Sequence, residues 1–305
     1  MPPLTVAPFD ESRTADLQAF RETLGLREHR PFLDQLQRKL VHCWLASDEA
    51  GRARAYSVVR PWQNRPQVLS INVRSDAHDP PEVRLAAIRA LADAALAADP
   101  REVPPLATAE WAIALPIPGE MLPGLAADGW EPFQELVHYR KGDLDVPERL
   151  RDALARTAAN RAARAEPEPV IRPFVEGDLP GVLEVEHSAF DPLWWIDEAG
   201  FRSSAVYAAG NFFVLTIGDR VAGYNLNSWA PPQGYVGRLG VRRELQGRGL
   251  GRLMLAHALG TLRPAGATYV ELTTQVDNQT SRSLYESFGF TVTSSEWLVR
   301  RALPR

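Results

Sequence analysis

The sequence predicts an α+β fold made twice in tandem, each copy a mixed, mostly antiparallel sheet flanked by helices. Three observations carry this. Strand pairs with hairpin turns alternate with segments of helical period, which requires both antiparallel pairs and helical crossovers. The two halves repeat the same short motifs in the same order. In the second half a strand runs into the turn Gln246-Gly247-Arg248-Gly249-Leu250-Gly251, which opens directly into an apolar-periodic helix.

The repeat is read from paired segments. Val6-Ala7-Pro8-Phe9 corresponds to Ile171-Arg172-Pro173-Phe174, and Gly51-Arg52-Ala53-Arg54-Ala55-Tyr56 to Asp219-Arg220-Val221-Ala222-Gly223-Tyr224. Ile71-Asn72-Val73-Arg74 corresponds to Leu239-Gly240-Val241-Arg242, and Leu125 to Trp130 corresponds to Tyr285 to Phe290. Their order and near-constant offset divide the chain into 1–145, a helical linker over 146–167, and 168–305. Glu166-Pro167-Glu168-Pro169 stops the linker helix.

In the second copy, strand Val170–Phe174 comes first, followed by helices over Asp178–Ala189 and Asp197–Ala208. A hairpin pairs Phe212–Ile217 with Val221–Trp229 around Gly218-Asp219. Strand Tyr235–Val241 feeds the glycine turn. The next helix spans Gly249–Leu262, where Leu250, Leu253, Met254, His257 and Ala258 recur at helical spacing. Strand Tyr269–Val276 places Val270, Leu272 and Val276 on one face. A short helix begins at Asn278 and ends at Gly289, and a last strand runs from Phe290 to Arg300.

Glycines alternating through the turn are not there for helix propensity, since each costs roughly 1 kcal/mol against Ala inside a helix. Glycine permits close backbone approach and unusual φ/ψ, so several N–H groups can point at one object. At a helix N-terminus those amides and the dipole favour a phosphate-type anion.

Composition narrows the alternatives. The 305 residues are 45% hydrophobic and 24% charged, an ordinary globular balance. A net charge of −4 offers no basic surplus for nucleic acid. Cys43, the single cysteine, permits neither an intrachain disulfide nor a Cys-based metal site, and its strand setting reads as an inert core thiol. No metal ligand set stands out. No charged-then-apolar leader opens the chain and no apolar run nears the ~20 residues of a membrane helix, so the expectation is a cytoplasmic protein without a membrane partner. Lys39 and Lys141 are the only lysines, which leaves little room for Schiff-base chemistry and is the codon signature of a GC-rich bacterial genome.

The glycine turn, followed by Asn278, Leu284-Tyr285 and Gly289-Phe290, resembles the GNAT acyltransferases, the Gcn5-related N-acetyltransferases. Gln246, Gly249 and Gly251 fill one family signature, and Asn278 with the Leu-Tyr and Gly-Phe pairs fills the other. The duplicated layout is similar to tandem GNAT proteins of the mycothiol synthase type. The resemblance implies acetyl-CoA as acyl donor, with its pyrophosphate on Gln246, Gly247, Arg248, Gly249, Leu250, Gly251 and Arg252. It also implies that strands Tyr235–Val241 and Tyr269–Val276 part near Val241. The pantetheine arm would then pair with Leu239, Gly240 and Val241 as an added strand, where an amide could stabilise the thioester oxyanion. Arg242, Arg248 and Arg252 add positive charge or are solvated surface arginines. Gln246 contacts the ligand or caps the turn, and Asn278 contacts it or is a helix N-cap.

Tyr285 is the expected catalytic residue, since the matching Tyr in the family lies near the cofactor sulfur and can protonate the departing thiolate. The base is left open between Glu271, Glu186, His187 and an ordered water chain. Phe190, Trp194, Trp195, Tyr207, Phe212 and Trp229 cluster where the family forms its acceptor pocket, and the Trp229-Ala230-Pro231-Pro232-Gln233 loop is the candidate for gripping substrate. The first copy has His78-Asp79-Pro80-Pro81-Glu82-Val83 where the glycine turn would be, and Leu125 in place of Tyr285. Pro80 and Pro81 offer no N–H and Glu82 repels phosphate, so that copy should keep the shape without acetyl-CoA binding.

The expected function is acetyl-CoA-dependent N-acetyl transfer to a primary amine, on a small molecule or a peptide, by direct attack in a ternary complex. The alternative is a catalytically silent acyl-CoA-binding sensor or interaction module. Either a monomer or a homodimer fits.

Overall fold

The computed structural model of the protein describes residues 4–24, 36, 41–63, 65–207 and 211–303. They form two compact units, one of Met1–Leu136 with Ser295–Arg305 and the other of Val137–Ser294. This division by contact differs from the division by repeat at 1–145 and 168–305, because each unit takes in a terminal strand segment from the other copy.

In the first unit, β1 (Thr5–Pro8), β2 (His42–Ser47), β3 (Ala53–Trp62) and β4 (Arg65–Ser75) are successively antiparallel. Strand β4 then runs parallel to β5 (Trp111–Ile117), in register from Val68↔Trp111 to Asn72↔Leu115. The edge beyond β5 is filled by Trp297–Ala302, the C-terminal part of β12 (Thr291–Ala302), running antiparallel. One sheet face packs on α2 (Pro81–Leu96) through Leu69, Ile71, Ile88 and Leu91, with Val299 in the same cluster. Helix α1 (Thr14–Thr23) covers the other face through Leu17 and Phe20, against Cys43, Leu45 and Tyr56. Burial pushes the Cys43 thiol up to about 12, so it stays protonated in the core. Pro81 sits at the start of α2, where a missing N–H costs nothing.

A short helix α3 (Leu122–Ala126) precedes β6 (Glu131–Lys141). The Leu125 carbonyl accepts from Trp130 N at 3.2 Å and Gly129 has φ +77°. In the second unit the Tyr285 carbonyl accepts from Phe290 N at 3.2 Å and Gly289 has φ +87°. Leu125 and Tyr285 are therefore the same backbone position in the two copies, and positive φ is what glycine supplies at such a helix end.

The second unit contains β6 from Val137 onward, α4 (Glu148–Ala163), β7 (Pro169–Pro173), α5 (Leu179–Ala189), α6 (Glu198–Tyr207), β8 (Phe212–Ile217), β9 (Arg220–Ala230), β10 (Gln233–Val241), α7 (Leu250–Leu262), β11 (Tyr269–Gln275) and α8 (Gln279–Ser287). Its strand order is β6-β11-β10-β9-β8-β7. All these bounds lie within a few residues of those read from periodicity. Helix α7 packs Leu255, Ala258, Leu259 and Leu262 on one sheet face with Val270 and Leu272, each buried Leu contributing about 1.5–3 kcal/mol. Helix α5 packs Val182 and Val185 on the other face with Phe212, Val214 and Tyr224. The expected substrate-gripping loop is a tight hairpin instead: β9 extends to Ala230, β10 begins at Gln233, and the Pro231–Pro232 bond is cis. Among the described residues no helix is long and apolar enough to cross a membrane.

Candidate active site

Strands β10 and β11 are in parallel register only at Gln233↔Tyr269, Gly234↔Val270 and Tyr235↔Glu271. A β-bulge between Val236 and Arg238 follows, and the strands part there rather than near Val241 as the sequence suggested. On the repeat offset, the segment of β10 that leaves its neighbour, Val236 to Gly240, corresponds to Val68 to Asn72 of the first unit. There β4 stays paired to β5 throughout. The opening therefore occurs in one copy and is closed in the other.

The opening leads to a cavity of about 440 Å³ lined by Leu239, Gly240, Val241, Gln246, Gly247, Gly249, Leu250, Gly251, Arg252 and Asn278. Gly247 and Gly249 have φ of +76° and +81°, which side-chain-bearing residues rarely adopt, so these two glycines shape the turn. Gly249 is the N-cap of α7 and no side chain caps that helix. Its first-turn amides thus have no intrahelical partner, and the positive end of the dipole faces the cavity. Gln246 Nε2 donates to the Val241 carbonyl at 3.0 Å and closes the turn. Asn278 caps α8 by accepting from Ser281 N at 3.1 Å, so the N-cap reading describes its side chain.

Two expected residues stand elsewhere. Arg248 lines a second cavity of about 460 Å³, on the side of α4, and its carbonyl accepts from Arg161 at 3.0 Å. Tyr285 is 8% exposed and packs with Tyr139 and Phe290, behind the cavity-lining Ser281 and Leu284. Burial pushes its phenol up to about 12, partly offset by a hydrogen bond with Ser281. A group so buried keeps its proton and serves as a donor. Arg242 is buried against the Val221 carbonyl (2.6 Å) and the Glu184 carboxylate (2.5 Å), which gives it a structural role.

The three candidate bases differ in setting. Glu186 is fully buried, accepting from Tyr224 Oη, from Arg238 at 2.6 Å and from Ile196 N at 2.8 Å. Glu271 is held by Arg140 at 2.6 Å and by Gln233. His187 is exposed, its ring 4.4 Å from that of Trp195. Among the aromatics, Phe190 lines the cavity and carries the Arg238 guanidinium 3.6 Å above its ring. Phe212 stacks on Phe174, Trp195 donates to the Phe190 carbonyl at 2.9 Å, and Trp229 packs on the α7 cluster. The Tyr207 side chain lies outside the described residues. Sequence reasoning missed Thr280, Ser281 and Ser283 on the cavity wall. Their signal was the run of small polar residues after Asn278 in the first turn of a helix. Among the described residues no group of three or more His, Cys, Asp or Glu is placed to hold a metal.

An open parallel strand pair thus lies beside a glycine-turned helix N-terminus. The chain belongs to the acetyltransferase (GNAT) family, whose model matches residues 180–290. A mycothiol acetyltransferase of Nocardiopsis dassonvillei is 42% identical over 207 residues, covering 58% of this chain and 60% of that one. An uncharacterized N-acetyltransferase of Methanocaldococcus jannaschii is 32% identical over 40% of this chain and 77% of its own. A tandem GNAT protein from the clavulanic acid biosynthesis pathway, solved without AcCoA, superposes with TM-score 0.67 over 99% of this chain and 100% of its own, at 15% identity. That likeness is one of fold. The chain spans 53% and 60% of the length of two of the mycothiol acetyltransferases it matches and 15–34% of three others.

Proposed function

We propose that this protein is an acetyl-CoA-dependent N-acetyltransferase that acts on the primary amine of a small molecule, by direct attack within a ternary complex. The observation that carries the reading is the parting of β10 from β11 at Tyr235, which leaves the Leu239–Val241 edge facing the glycine turn. Unpaired strand amides and an uncapped helix N-terminus are a donor set suited to a pantetheine amide chain and a pyrophosphate. The bound thioester would supply the acyl group and a thiol leaving group.

The chain's own residues take the other parts. Leu239, Gly240 and Val241 orient the arm, and an amide of this edge faces the acyl oxygen. The turn from Gln246 to Gly251 holds the pyrophosphate, with Arg252 adding positive charge and Asn278 fixing the start of α8. Tyr285 holds a proton at Oη for the departing sulfur, and its burial keeps that proton in place. The first copy, with its β4–β5 pair closed and Pro80 and Pro81 in the turn, scaffolds without binding. Relatives named for mycothiol support a small acceptor over a protein.

The test is release of free thiol from acetyl-CoA with a panel of spermidine, glucosamine, cysteinyl-glucosamine and an alanine-ended peptide. Turnover with one of the small amines is expected. Acetyl-CoA binding without thiol release across the panel would make the protein a silent sensor instead.

A further inference from the structure

Thr273 on β11 stands between two groups that titrate. Tyr235 Oη donates to Thr273 Oγ1 at 3.2 Å, and Thr273 Oγ1 lies 3.0 Å from His138 Nδ1. Tyr235 is the last residue of β10 in register with β11, next to the bulge at which the two strands part. It is also close enough to Tyr285 to influence that phenol electrostatically. His138 lies on β6, the last strand of the first copy by sequence, yet it belongs to the second compact unit. Glu271 of β11 and Arg140 of β6 pair with each other, Gln233 of β10 binds Glu271, and Thr293 of β12 donates to the His138 carbonyl at 3.3 Å.

We infer that His138 accepts the proton released by the acceptor amine, relayed through Tyr235 and Thr273. This rests on the acetyl-transfer reading and identifies the base which that reading leaves open. The ammonium nitrogen gives up two protons as its bond to the acyl carbon forms and the carbon–sulfur bond breaks. One passes to Tyr235 Oη while the Tyr235 proton moves to Thr273 Oγ1 and the Thr273 proton moves to His138 Nδ1, which later releases it to solvent. The other replaces the proton that Tyr285 delivers to the sulfur. Each oxygen in the string accepts a proton as it passes one on, so neither the phenol nor the alcohol carries charge, and the imidazole alone changes its charge. The string works only with His138 neutral and its Nδ1 unprotonated.

The experiment compares the full-length protein with its His138→Gln, Thr273→Val and Thr273→Ser variants, using the fastest amine of the panel above as probe. His138→Gln and Thr273→Val should each lower kcat about 100-fold with little change in KM for acetyl-CoA, while Thr273→Ser keeps most of the activity. The ionisation on the acidic limb of the rate profile should vanish in His138→Gln, and in a further variant, His138→Ala, added imidazole should restore turnover. Independently of turnover, ¹⁵N NMR should show His138 Nδ1 without a proton at neutral pH, and Thr273→Val should shift its titration. A wild-type enzyme that turns over while His138→Gln and Thr273→Val match its kcat and pH profile overturns the relay. A protonated Nδ1 at neutral pH overturns it too. A wild-type protein that binds acetyl-CoA but acetylates no amine overturns the acetyl-transfer reading, and the relay falls with it.

Discussion

Glu186 sets a fully buried carboxylate between Tyr224 and Arg238, and burial holds the Tyr224 phenol well above its ordinary value. A buried pair broken from one side leaves an uncompensated charge, so Glu186→Ala should cost about 3–5 kcal/mol of unfolding free energy in urea melts. Glu186→Gln keeps the shape and should cost less. Tyr285→Phe should behave in the opposite way: stability nearly unchanged, kcat down by about 100-fold or more, and acetyl-CoA affinity retained in calorimetry. Because the Tyr285 phenol is pushed up to about 12, it should contribute no loss of activity across the mildly alkaline range. These two positions read differently from the sequence alone, for a physical reason. Tyr285 was legible as a motif residue, but its depth depends on Tyr139, which comes from a strand far back in the sequence, as well as on nearby Phe290. Glu186 read as a candidate base because a lone helix position does not show what covers it.

At the level of elements, the turn into α7 and the start of α5 make separate demands. Gly249 holds φ +81° where Ala would be strained, so Gly249→Ala should destabilise by about 1–2 kcal/mol and weaken acetyl-CoA binding at least tenfold in titration calorimetry. Before α5, Asp178 accepts from Val175 N and binds Arg172 at 2.6 Å, and chiefly that Arg172 bond holds its carboxyl below the ordinary Asp range. A depressed folded pKa stabilises fully above the unfolded value of about 3.9 and less as the pH falls through the folded one. Asp178→Asn should therefore be less stable than wild type at neutral pH, the difference in urea midpoint closing below about pH 4. Strand and helix bounds were legible because apolar periodicity and glycine turns are local signals. The site of parting was not, since pairing depends on a neighbour far along the chain. Gly237, a glycine inside a strand pattern, was the local mark of the bulge.

For the whole molecule, one ligand site in two copies of the fold predicts a stoichiometry. Calorimetric titration of the full chain should find one acetyl-CoA per polypeptide, and two would refute the reading of the first copy. The repeat was legible because motifs recur at a fixed offset. The ownership of the last strands was not, since either copy offers the same pattern to a sheet edge. Deleting Ser295–Arg305 should strip amide-exchange protection from Trp111–Ile117, whose outer partner is Trp297–Ala302, and leave an aggregation-prone edge. That partner strand also sets an order of events during synthesis. A ribosome delivers residues 111–117 long before residues 297–302, so the first unit must wait with an open edge until residues 297–302 have emerged. Splitting the coding sequence after residue 145 should accordingly yield two incomplete products rather than two independent proteins.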